Sequence, residues 1–202
     1  SLKRATGKKI IAFSFLQMIS NTLEMRPLLR TRSKEFDFLQ EKLAEYENSL
    51  LSEEPSMYEE GYDDFMNSVK TALFFNEWVE EKDEEFLLEN FNIRPGEIKN
   101  KLDIADWLLY ASEELARILY FQNLRKELVK TRLRINYGAR EELFPLLRLK
   151  NIGRVRARRL FANRIRTIGD VKNADLQVLS QILGKGVALD IKQQVGQELR
   201  DE

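Results

Sequence analysis

The chain has 202 residues, 33 Lys+Arg against 33 Asp+Glu, and neither His nor Cys, so its formal net charge is zero. Without an imidazole or a thiolate it cannot build a zinc finger, a Cys–His or Ser–His–Asp catalytic centre, or a disulfide framework. The length allows one or two domains at ~100–200 residues each, and 43% hydrophobic residues is enough for an ordinary packed core.

Nine Gly and four Pro are few punctuators, and 33% charged residues with abundant Leu, Glu, Lys and Arg favour helix over sheet, so an all-α protein is predicted. The longest apolar run, Ile10 to Ile19, is broken by Ser14 and Gln17 and falls short of the ~20 residues that cross a bilayer. No membrane partner and no signal peptide are expected. Absent cysteine fits a reducing compartment, and a cytoplasmic location is expected. The start at Ser1-Leu2 rather than Met suggests a piece of a longer protein.

A first helix is predicted from about Lys8 to Leu23, with Pro27 ending or bending the chain beyond it. Ser33 opens an amphipathic helix with Phe36, Leu39, Leu43 and Tyr46 on one face, and Ser52 to Ser56 reads as a loop. From Tyr62 to Glu80 the positions Phe65, Val69, Ala72, Leu73, Asn76 and Val79 follow the 3.6-residue period, and Trp78 reads as core. Asp83 to Asn90 is a short acidic helix. Pro95 then starts a long helix to about Tyr120, followed by another to about Asn136. After Gly138 and Pro145 come short helices separated by Gly153, Gly169, Gly184 and Gly186, with Ile152-Gly153 and Leu183-Gly184 as possible paired hairpins. The predicted division is a helical bundle over residues 1–140 and a small basic helix-loop-helix module over 141–202.

The zero net charge conceals segregation. Residues 1–34 carry eight basic and one acidic residue, net +7; residues 35–90 carry three and eighteen, net −15. Residues 117–168 carry fifteen basic and three acidic, net +12, which is the electrostatic footprint of a polyanion binder. The acidic block reads as a solvated face.

On the long helix, Ile98, Leu102, Ala105, Leu109, Ser112, Ala116 and Leu119 form one seam. A second stripe, Ile104, Leu108, Ala111, Leu115 and Ile118, runs beside it, which predicts a central element of the bundle. Trp107 falls at the edge of the polar arc, pointing away from the Ala105/Leu109 seam. It is either a boundary core residue with its N–H satisfied or a platform on which a base stacks, and the neighbouring Lys99 and Lys101 favour nucleic acid.

The segment from Leu149 to Leu160 has the pattern of a helix-hairpin-helix: Ile152 packs before the turn, Gly153 is expected in a conformation closed to residues with a Cβ, and Ala157 allows a close helix crossing. A phosphate can sit at the N-terminus of the second helix without any base being read. Arg154, Arg156, Arg158 and Arg159 surround that point, and Lys150, Arg164 and Arg166 extend the patch. The alternatives are a solvated patch, one facing protein, or a clamp on the acidic residues of the larger domain.

A nucleotide-driven motor needs a Gly-rich phosphate loop ending in Lys-Ser/Thr, and neither Gly7-Lys8-Lys9 nor Gly184-Lys185-Gly186 has it. A carboxylate nuclease could be imagined in Glu80, Glu81, Asp83, Glu84 and Glu85, but neighbours in sequence diverge around a helix. No catalytic site and no metal site are expected in this chain.

Several runs together resemble a known family: Met25-Arg26-Pro27-Leu28, Phe74 with Asn76 and Trp78, Pro95-Gly96-Glu97-Ile98 with Ala105-Asp106-Trp107-Leu108, and Tyr137-Gly138-Ala139-Arg140-Glu141-Glu142-Leu143 leading to Gly153-Arg154-Val155-Arg156-Ala157-Arg158. They are similar to the C-terminal part of the archaeal Hel/Hjm DNA-repair helicases, Ski-two-like members of superfamily two. The resemblance implies a ratchet domain followed by a helix-loop-helix domain, and as partners the motor and winged-helix domains of the same protein and single-stranded or forked DNA. ATP and Mg would belong to that parent, with no cofactor in this part. It further implies that Trp107 stacks on a base of the translocating strand, that basic residues up to two turns upstream touch it, and that the terminal module binds the emerging strand and restrains the motor through Arg156-Ala157-Arg158. Seven positions before the Trp the family can carry Arg, whereas this chain has Asn100 between Lys99 and Lys101. The implied function is single-strand binding without catalysis within an ATP-dependent 3′ to 5′ helicase of repair or fork processing; the rival is a protein-interaction module whose basic patch docks an acidic partner.

Overall fold

Leu-rich helical periodicity carries through the chain: the computed structural model describes residues 9–197, and eleven α-helices with no strand form among them. Their apolar residues gather into two separate cores, and the chain divides into two compact units between Asn136 and Tyr137. Residues 137–140 thus fall in the second unit, where Ala139 is fully buried.

In the first unit α1 (Ala12–Ser20) packs against α3 (Tyr62–Val79) and α5 (Pro95–Ile118). Lys8, where the sequence places the first helix's start, lies outside the described residues; the helix stops at Ser20 and a 3-10 turn, Leu23–Met25, precedes Pro27. After an extended segment, α2 (Phe36–Tyr46) buries Leu39 and Leu43 while Phe36 and Tyr46 pack at the core's edge. Gly61 enters α3 with φ +100°, a conformation that favours glycine.

Two apolar stripes predict the long helix as a central element, and α5 does pack on α1, but α3 is the more deeply buried of the two. Twelve of its 18 residues are buried, including fully enclosed Phe74 and Phe75, against six of 24 in α5. Periodicity tells which residues share a face, not whether another helix covers it. On α5 the seam holds at Ile98, Ala105, Leu109 and Ala116, whereas Leu115, Ile118 and Leu119 lie exposed.

The short α4 (Glu84–Phe91) is capped by Asp83, whose Oδ1 accepts from the Phe86 N–H at 2.8 Å. Pro95 occupies the first turn of α5, and the Arg94 N–H donates to Glu97 Oε2 at 2.8 Å. Tyr120, at φ +59°, reverses the chain into α6 (Gln122–Tyr137). Trp78 packs against the core, its Nε1–H donating to the Ile135 carbonyl at 2.8 Å.

The second unit consists of α7 (Phe144–Leu147), α8 (Arg154–Ala162), α9 (Ile168–Asn173), α10 (Leu176–Leu183) and α11 (Lys185–Gln197). Leu143, Leu146, Ala157, Leu160, Val171, Leu179 and Ile191 make its core. A reciprocal cap between Thr167 and Asp170 starts α9. Gly184, at φ +88°, separates α10 from α11, while Gly169 and Gly186 lie inside helices rather than between them.

Candidate nucleic-acid interface

On α5, Trp107 is 55% exposed while its neighbours Ala105 and Leu109 are fully buried. Within this unit it is more than half exposed, at the edge of the packed seam of α5. Its face also presents Asn100 and Glu114, since seven residues bring a helix back to within ~20° of the same azimuth.

The polar flank of α5 is fixed from α6. Arg132 donates from Nε to Asp106 Oδ1 at 2.7 Å, sits 3.7 Å from Glu113, and stacks its guanidinium 4.7 Å above the Tyr110 ring. Burial would raise the Asp106 carboxyl, but the Arg132 and Asn136 hydrogen bonds outweigh it and hold the pKa below its ordinary value. Arg125 pairs with Glu113 and Arg134 with Glu80. Arginines counted within the +12 block are thus spent inside the first unit, a use that net charge by segment does not reveal.

The three upstream candidates part company. Lys99 and Asn100 are exposed. Lys101, expected to face the strand, is only 6% exposed and donates from Nζ to the Pro27 carbonyl at 2.6 Å. Burial pushes its pKa down, more than the nearby Glu97 raises it. The cause is azimuth: Lys101 is one residue, ~100°, round from Asn100, on the side that packs.

In the second unit, Gly153 departs from expectation. Its backbone is extended (φ −89°, ψ 176°), and a Cβ built there meets nothing within 4 Å. The left-handed residue of this turn is Asn151, at φ +63°, with Nδ2 donating to Asp190 Oδ2 at 2.8 Å. Asn tolerates that conformation better than most residues, which is why the turn does not need glycine. Gly153 is instead the N-cap of α8.

The cations round that helix start have distinct roles. Lys150 and Arg159 are exposed, and Gln194 braces the Lys150 backbone through its N–H and its carbonyl. Arg156 reaches back to the Asn151 carbonyl at 2.8 Å, and half-buried Arg154 to that of Gly138 at 3.4 Å. Arg158 pairs with Glu142 at 3.0 Å and packs over Phe161, which Arg166 also covers. The first turn of a helix offers unpaired N–H groups and a positive dipole end, and here it is ringed by guanidinium groups.

The carboxylates considered for a nuclease serve structure: Glu80 binds Arg134 and Asp83 caps α4. Among the described residues no group of three or more His, Cys, Asp or Glu could hold a metal, and no helix is long and apolar enough to cross a membrane.

Comparison with known proteins agrees with this architecture. The family described as archaeal helicase, domain 4, matches residues 13–138. Proteins named ATP-dependent DNA helicase Hel308 are similar over nearly the whole chain. That of Methanococcus vannielii is 36% identical over 192 residues, covering 92% of this chain and 22% of the relative. That of Pyrococcus horikoshii is 34% identical over 191 residues, 92% and 26%, and that of Methanocaldococcus jannaschii 33% over 183 residues, 90% and 14%. The chain spans 14% to 26% of the length of these relatives. Coverage of 92% of the chain necessarily includes most of the second unit as well as the domain 4 match. By sequence the chain belongs to the archaeal Hel308-type helicases, as a C-terminal part that contains their domain 4.

Proposed function

We propose that this chain is the non-catalytic, single-strand-binding part of an ATP-dependent 3′ to 5′ DNA helicase that acts in repair or replication-fork processing in the cytoplasm. The observation that carries the reading is Trp107: a large indole held 55% exposed on a rigid 24-residue helix. Stacking on such a ring is worth about 1–3 kcal/mol per base and tolerates any sequence, which suits a strand that must move past. Trp107 acts as a pawl, because stacking breaks and reforms at each step driven by the motor domains. Lys99 and Asn100 lie upstream on the helix, and Lys150, Gly153, Arg154, Arg156, Arg158 and Arg159 supply a second, phosphate-directed contact.

The residues present do not fit a nucleotide. The sequence has no Gly-rich loop ending in Lys-Ser/Thr, so ATP and Mg belong with the motor and winged-helix domains of the parent. Anisotropy of a fluorescein-labelled oligodeoxythymidylate titrated at several salt concentrations tests the reading. Binding that weakens steeply with salt is expected, as phosphate contacts release counterions. Absence of binding at low salt, with an acidic protein partner captured instead, would favour the interaction-module reading.

A further inference from the structure

The extended segment between the Leu23–Met25 turn and α2 is pinned by its backbone. Lys101 Nζ donates to the Pro27 carbonyl at 2.6 Å and Lys70 Nζ to the Arg30 carbonyl at 3.0 Å. The Leu29 N–H donates to Thr71 Oγ1 at 3.0 Å, and the Thr31 N–H to Asn67 Oδ1 at 2.7 Å. Buried polar side chains of α3 and α5 thus satisfy main-chain groups that an extended strap would otherwise leave unpaired. The strap's own cations stay outside. Arg30 and Arg32 are exposed and make no side-chain hydrogen bond or ion pair among the described residues, although the Arg32 charge lies close enough to Glu35 to help hold its carboxyl below the ordinary value, while Arg26 pairs with Asp64 at 2.6 Å.

The strap, Phe91–Asn92 and the first half of α5 enclose a groove of about 560 Å³. Arg26, Arg30, Arg32 and Asn100 line it, and Glu97, whose carboxylate accepts from the Arg94 N–H, is its one acidic lining residue. The groove opens on the face that carries Trp107. Asn100 belongs to its lining, and seven residues of helix place Asn100 within ~20° of Trp107 and about 10 Å along the axis. That distance is roughly three stacked nucleotides at ~3.4 Å per residue of strand. Guanidinium forks match phosphate oxygens in pairs, and the one aromatic ring that lines the groove, Phe91, is half-buried and packed against the core, unlike the exposed Trp107.

We propose that this groove holds the sugar-phosphate backbone of the single strand that stacks on Trp107, with Arg30 and Arg32 as its phosphate contacts. The inference rests on the reading of the Trp107 face as strand-binding. It supplies the cationic contact that Lys101, turned inward, does not.

The test compares the 202-residue chain with R30A/R32A, R30K/R32K and W107A variants by anisotropy of the labelled oligodeoxythymidylate across salt concentrations. The double alanine variant is expected to bind more weakly, with its log K against log salt slope shallower by about 1.4, at ~0.7 per phosphate contact on a single strand. The double lysine variant keeps the slope, and W107A binds more weakly at an unchanged slope. Thermal melting of the strap variants should match the parent chain, since their backbone anchors are untouched. Wild-type affinity and slope in R30A/R32A, with W107A weakened, would overturn the groove and leave the Trp107 reading standing. A shallower slope in R30A/R32A with W107A unaffected would keep the arginines and remove the shared strand. No binding by the parent chain would overturn both.

Discussion

Asn151 and Gly153 show how closely residue type and backbone conformation are coupled. Asn151 holds φ +63°, where a Cβ costs about 1–2 kcal/mol and a short polar side chain helps through local hydrogen bonds. Asn151→Ala loses that help and the Asp190 bond and is expected to destabilise the second unit by about 2 kcal/mol. At Gly153 two small effects oppose. Alanine is a poorer N-cap by roughly 0.5–1 kcal/mol, but it restricts the unfolded chain by about 0.4–1 kcal/mol. Gly153→Ala should therefore melt within a few degrees of the parent while Asn151→Ala melts well below it, as followed by circular dichroism. Lys101 makes a different point. Its folded pKa lies below 10.5, so between the two values the unfolded state binds more protons and stability rises with pH. Both tryptophans lie in the first unit and report its unfolding. Urea unfolding followed by their emission should show stability increasing toward 10.5 in the parent chain, relative to Lys101→Met, which cannot titrate. Parallel pH profiles would contradict the burial.

At the scale of elements, the connection between α5 and α6 is polar as well as apolar. Asp106 and Arg132 are each about 30% exposed, and their hydrogen-bonded pair holds the flank on which Tyr110 and Arg132 stack. Asp106→Asn should cost about 1.5 kcal/mol in chemical denaturation, the low end of the range for a hydrogen bond to a charged group, as suits a pair that is partly exposed. That contribution is present above the ordinary pKa of 3.8 and is lost as pH falls through the lower folded value. The cost in the variant should therefore vanish in strong acid. Helix identity is legible in the sequence because periodicity and caps agree: Tyr62–Val79 and Pro95–Ile118 differ from their predicted ends by a residue or two. Rank in the core is not. Leu115 and Ile118 lie exposed at the end of an apolar stripe whose Leu108 is buried, whereas the polar Lys70, Thr71 and Lys101 are buried because a strap's carbonyls and N–H groups need partners. Such a need is tertiary and leaves no periodic trace. Trp107 is legible because its azimuth departs from the seam. Arg30 and Arg32 are not, because the net charge of residues 1–34 does not place any one of them on a surface.

For the molecule as a whole, zero net charge is an average over parts with different uses. The arginines of α6 neutralise carboxylates of the first unit, while those of α8 cluster round one helix start in the second. Under the proposed function the first unit contacts a strand by stacking and the second by its phosphates. In the proposed function Trp107 carries the stacking. Its direct test is intrinsic fluorescence on titration with oligodeoxythymidylate, comparing the parent chain with Trp107→Ala, in which Trp78, bonded to Ile135 and packed on the core, is the one remaining indole. Quenching is expected in the parent and a flat Trp78 signal in the variant, with affinity reduced about 5- to 150-fold, the equivalent of ~1–3 kcal/mol. Unchanged emission of the parent chain at saturating strand, or equal quenching in the variant, would contradict it.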